Sequence, residues 1–119
     1  MGPLRVLIAY EERYNAYAQA FAAAVGDADP DADVRIVAPR DIRGEVHRFE
    51  PHLVVSSQPT NALPEVGAWF MLSPDPDEPS EMRLGGRHWI CANPGLGALA
   101  RIVESVGGLV RDGRYPAVT

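Results

Sequence analysis

The sequence predicts an α/β domain built on a doubly wound, mainly parallel five-stranded sheet, and three observations carry that expectation. Short β-branched and aliphatic runs at 4–9 and 53–55 have the composition of buried strands, and 68–72 reads as a further strand. Segments whose apolar residues follow helical spacing alternate with them, the arrangement that builds parallel sheets through crossover connections. Gly85-Gly86 separates 81–84 from 87–90 and marks a two-residue β-hairpin.

Taken in order, 4–9 is the first strand, and 11–25 is a helix in which Tyr14, Tyr17, Ala18, Phe21, Ala22 and Val25 share one side. Gly26 is expected to end that helix, before a turn cluster at 27–30. The alternation over 33–37 fits an edge or half-buried strand, and Ile42, Val46 and Phe49 give 41–49 weak helical character. The strand at 53–55 is followed by 58–67, read as a loop or single turn in place of a full third helix. Beyond the strand at 68–72, the prolines of 74–79 exclude a regular helix, so a loop and the hairpin replace the fourth helix. Asn93 is expected to cap a last helix with Pro94 at its first position. Leu96, Leu99, Ala100, Val103 and Val106 form its buried stripe, and Gly107-Gly108 is expected to stop it. Residues 107–119 are read as a tail, and 1–119 as one domain.

Composition narrows the chemistry. Hydrophobic residues make up 46% of the 119, enough for a single core. The net charge is −5, and all 11 cationic residues are arginine, spread along the chain rather than gathered. Nucleic-acid binding is therefore not expected, and the absence of lysine excludes Schiff-base chemistry and a phosphate-binding lysine. No apolar run has the length of a membrane span, and Met1-Gly2-Pro3-Leu4-Arg5 reads neither as a signal peptide nor as a myristoylation site. Cys91 is the single cysteine, which suits a reducing cytoplasm.

Several segments resemble response-regulator receiver domains. Val6-Leu7-Ile8-Ala9-Tyr10-Glu11-Glu12 is similar to the first strand and acidic turn of that family. Phe49-Glu50-Pro51-His52-Leu53-Val54-Val55-Ser56-Ser57 is similar to its third strand, and Leu72-Ser73 falls where receivers carry a Thr or Ser. Trp89-Ile90-Cys91-Ala92-Asn93-Pro94-Gly95-Leu96 is similar to the fifth strand and the motif after it. The resemblance covers about the first 106 residues, is poorest in its middle, and implies a flavodoxin-like (CheY-like) fold. The chemistry departs from the family. Where receivers hold Mg²⁺ with an acidic pair this chain has Tyr10-Glu11; the acceptor position is Ser57, and the lysine position is Asn93. Phosphoryl transfer needs cations to neutralise the transferred charge, so the family's activity does not carry over, and no enzyme constellation is present.

In an open α/β sheet, ligands sit beyond the carboxyl ends of the strands. Tyr10, Glu11, Glu12, Ser56, Ser57, Ser73 and Asn93 would gather there, either as a pocket kept for another ligand or, the favoured reading, as caps for loops and helix ends. Gly95-Leu96-Gly97-Ala98-Leu99-Ala100 matches a phosphate-cradling pattern but lies in the last unit, where glycines opening a packed helix are the commoner case. The adjacent Glu11 and Glu12 suit a helix dipole better than a cation, and His47, His52 and His88 lack zinc spacing. Trp69, Met82 and Trp89 are candidates for an interface, because aromatic and methionine side chains are enriched at interface centres. The expectation is a phosphorylation-independent, receiver-like signalling domain that binds a protein partner or itself, without cofactor, metal, nucleic acid or membrane. The alternative is a sensor of a nucleotide or other anionic metabolite at the rim.

Overall fold

The computed structural model describes residues 3–57, 66–72, 77, 79–85, 87–91 and 95–115, with the backbone alone at 89, 91, 95 and 96. Its elements run β1 (Arg5–Ala9), α1 (Asn15–Ala28), β2 (Asp33–Val37), α2 (Ile42–Phe49), β3 (Leu53–Ser56), β4 (Ala68–Met71), β5 (Ser80–Leu84), β6 (Arg87–Cys91) and α3 (Gly95–Arg111), with 3₁₀ turns at Glu12–Tyr14 and Pro39–Asp41. The expected loop at 58–67 and the Pro-rich segment at 74–79 lie largely outside the described residues, as do Ser73, Asn93 and Pro94.

The sheet corrects the expected fold class. It has six strands in the order β2-β1-β3-β4-β5-β6. The β1–β2, β1–β3 and β3–β4 pairs are parallel, whereas β4–β5 and β5–β6 are antiparallel. The sheet is therefore mixed, not the mainly parallel, five-stranded flavodoxin-like sheet. The cause is local. Gly85 takes φ 58°, and Leu84 pairs directly with Arg87 across the expected hairpin. So tight a turn gives β5 no connection with which to leave the sheet, and it becomes a strand of its own between β4 and β6. Ser80, Met82 and Leu84 are buried and alternate with half-buried Glu81 and Arg83, as a strand with one well-covered face requires.

Two clusters divide the core. On one face α1 and α3 pack through Phe21, Val25, Leu99, Val103 and Val106 onto Val6, Ile8, Val55, Phe70 and Met82. On the other, Ile42, Val46 and Phe49 of α2 cover Leu7, Ala9, Val54 and Trp69. Each fully buried aliphatic side chain contributes about 1.5–3 kcal/mol. Both glycine stops expected above are corrected. Helix α1 runs through Gly26 and ends before Asp29, where Pro30 disfavours helical backbone at the preceding residue and Asp29 is extended (φ −144°, ψ 92°). Helix α3 runs through Gly107 to Arg111. A Cβ at Gly107 would stand 3.3 Å from Asp29 Oδ2, so this glycine permits α3 to approach the end of α1, where Arg111 pairs with Asp29 at 3.5 Å. Among the described residues no helix is long and apolar enough to cross a membrane.

The amino ends of the strands are tied by hydrogen bonds between distant segments. The Arg5 amide donates to His52 Nδ1 (2.9 Å), the His52 amide donates back to the Arg5 carbonyl (2.8 Å), and Arg5 Nε donates to the Glu50 carbonyl (2.8 Å). Tyr115, beyond α3, reaches the same place: its hydroxyl donates to the His52 carbonyl, and its ring meets the imidazole edge-on at 5.3 Å. Burial, and then the charge of Arg5, hold the His52 imidazole below its ordinary 6.5. The unfolded chain thus takes up a proton where the folded one does not, so stability is lost as pH falls through the unfolded value. We expect urea denaturation to give a lower stability at about pH 5 than at about pH 7. In His52→Asn, whose Oδ1 can accept the same bond, the difference between the two should shrink. An unchanged difference would remove His52 from the explanation.

Candidate functional site

The carboxyl rim of the sheet begins at Tyr10, directly after β1. Its side chain turns inward: it is 3% exposed, its ring lies 5.2 Å from that of Phe21, and its hydroxyl donates to the Leu72 carbonyl at 2.5 Å. Burial pushes the phenol far above its usual range, so it stays neutral. At this position, where the resemblance leads one to expect a metal-binding acid, the chain has a neutral bolt between the ends of β1 and β4. Glu11 and Glu12 face solvent to different degrees. The Glu11 carboxylate pairs with Arg13 at 2.9 Å, its carbonyl accepts from the Tyr14 amide, and Glu12 opens the 3₁₀ turn. Ser56 ends β3, fully buried between Ala9 and Met71 in register, and its carbonyl accepts from the Leu72 amide at 2.8 Å. Ser57 follows, half-buried. The rim thus brings Tyr10, Ser56 and Ser57 near one another and leaves the two acids on the turn beyond.

Two features separate this rim from a phosphoryl-accepting one. Among the described residues no three His, Cys, Asp or Glu side chains stand together to hold a metal ion. The insertion of β5 also displaces β6, the strand likened to the receiver's fifth, by one strand spacing, about 4.8 Å, from β4. Its carboxyl end at Cys91 pairs with Ser80 rather than standing beside β4.

A different surface stands open at the hairpin. Trp69 pairs with Arg83, Met71 with Glu81, and these with His88 and Ile90 in turn, so all lie on the α2 side of the sheet. Helix α2 covers Trp69 but packs no further along the sheet, and Ile90 is left 63% exposed at the edge strand. Glu81 Oε2 lies 3.6 Å from His88 Nε2 on this face. Of the residues expected at an interface, Trp69 is buried under α2 (3% exposed), with its indole N–H unpartnered among the described residues. Met82 is buried on the opposite face (1% exposed), and Trp89 stands opposite it in the register. Sequence reasoning missed Ile90. The signal was present in the strand alternation, since Ile90 is out of phase with Met82, but how far α2 reaches across the sheet was not readable.

Tyr10→Phe should keep the ring packing and remove only the hydroxyl, leaving the buried Leu72 carbonyl without this donor. We expect a loss of about 1–3 kcal/mol in urea denaturation with an unchanged far-UV circular dichroism spectrum. A neutral substitution would mean that the hydroxyl does not bolt the rim. No protein-family model matches this chain, and no curated protein or solved structure matches it.

Proposed function

We propose that this chain is a receiver-like signalling domain that acts without phosphorylation, by protein contact through its β5–β6 hairpin, and that the partner is a second copy of the chain. The observation that carries this reading is Ile90, 63% exposed on an edge strand whose α2-side face has no helix over it among the described residues. Edge strands are commonly protected by Lys, Pro or inward-pointing charge. Between Arg87 and Cys91, β6 has no Lys, no Pro and no acid, with exposed Arg87 its one formal charge, whereas the other edge, β2, carries charges of both signs, Asp33 and Arg35, beside a less exposed Ile36 (37% against 63% for Ile90). The strand is also self-complementary. Antiparallel pairing of two copies about Trp89 sets His88 against Ile90 and Arg87 against Cys91, with no like charges directly opposed. Such pairing would extend the sheet across both copies and cover each Ile90.

Two measurements test this. Sedimentation velocity should show a dimer with a dissociation constant of about 1–100 μM, the range of small, non-obligate interfaces. Ile90→Arg should give a monomer of unchanged melting temperature, because an exposed strand position tolerates the change. A wild-type chain that stays monomeric at about 1 mM would refute self-association. Separately, acetyl phosphate with Mg²⁺ should leave the intact mass unchanged, since Ser57 stands at the acceptor position with no lysine in the chain. A stoichiometric gain of one phosphoryl group would refute the phosphorylation-independent reading.

A further inference from the structure

At the opposite pole from the rim, where the strands begin, the surface holds a cleft of about 420 Å³, within the size range of small-molecule sites. Its apolar walls include Val46, Val66 and the Tyr115 ring, and Arg5, His47, Glu50 and His52 supply its polar groups. From these we infer that the cleft binds a free α-amino acid with an aliphatic side chain. This site is independent of the β6 edge.

The polar groups are complementary to both charges of such a molecule. Arg5 is held by its Nε bond to the Glu50 carbonyl, which leaves the two Nη groups of the guanidinium fork for a carboxylate. Nδ1 of His52 accepts from the Arg5 amide, so the neutral ring carries its proton on Nε2, a second donor of the kind a carboxylate takes. Burial and the neighbouring guanidinium keep that ring neutral. Glu50 offers the acceptor for an ammonium. Arg5 and Glu50 line one cleft, yet their side chains form no ion pair with each other, so each keeps its charge for a ligand. Glu50 also has the one positive φ among described non-glycine residues (φ 51°, ψ 60°), at the end of α2 where glycine is usual. Strained backbone of this kind persists where surrounding structure holds it, and it concentrates at ligand sites. The Val46, Val66 and Tyr115 walls suit a branched aliphatic chain.

The test uses the full chain with L-leucine as the probe, followed by differential scanning fluorimetry and by chemical-shift changes at the amides of Arg5, Glu50 and His52. Leucine at about 10 mM should raise the melting temperature by about 3 °C. Leucinamide, which lacks the carboxylate, and N-acetylleucine, which lacks the ammonium, should each bind at least about tenfold more weakly. Glu50→Gly separates binding from folding. Relief of the positive φ should raise the melting temperature of the free protein, while the leucine response falls about tenfold or more. No leucine response would overturn the inference, as would an equal response to N-acetylleucine, which would make the cleft a simple carboxylate site. Full leucine binding by Glu50→Gly would overturn it too.

Discussion

The reversal at Gly85 governs the right-hand half of this molecule. A two-residue turn with φ 58° at its first position sends the chain straight back along the strand it has just left. Both strands of such a hairpin must find places in the same sheet, and β4 is the edge available to the first of them. From this follow the antiparallel pairs at β4–β5 and β5–β6, the sixth strand, and the outward shift of β6. The same constraint leaves β6 as the terminal strand. One face of the hairpin is covered through Met82 and Leu84 by the layer that holds α1 and α3, while the other extends past the reach of α2.

The rim shows what becomes of a polar strand end when it is filled by packing. Here the first strand ends in a phenol that lies against Phe21 and gives its only proton to a main-chain carbonyl. A buried neutral group of this kind holds two strand ends together and rigidifies them, but it has no charge with which to attract a cation. The acids that follow it are solvated, one of them paired with Arg13. The open hairpin face, rather than the rim, therefore carries the functional reading.

The opposite pole is organised differently. Arg5, Glu50, His52 and Tyr115 come from three separate stretches of chain, and main-chain atoms accept or donate most of the bonds between them. Main-chain partners fix the side chains without consuming their charges. The guanidinium is therefore anchored at one nitrogen only, and the imidazole keeps one ring nitrogen unused by that network. The result is a cleft of apolar walls and anchored polar groups at the end of the sheet where α/β folds seldom place a ligand.

Local chemistry made much of the architecture legible. The runs at β1 and β3, the alternation of β2, the apolar side of α2 and the glycine pair of the hairpin all depend on residues within a turn or two of one another, and each element lies where its own sequence puts it. Contacts between distant segments decided the rest. Gly26 and Gly107 look like helix stops, but glycine only weakens a helix, so α1 continues to the Asp29-Pro30 barrier and α3 continues to Arg111, which pairs with Asp29. Periodicity marked Trp69 and Ile90 alike as apolar strand residues; only the reach of α2 buries the first and leaves the second exposed. Tyr10 read as a polar rim residue until Phe21 and Leu72 supplied the surroundings that draw it inward. The cleft joins residues 5, 50, 52 and 115, whose separation along the chain leaves no local pattern to read, because their proximity exists only once the sheet has formed and Tyr115 has docked against His52.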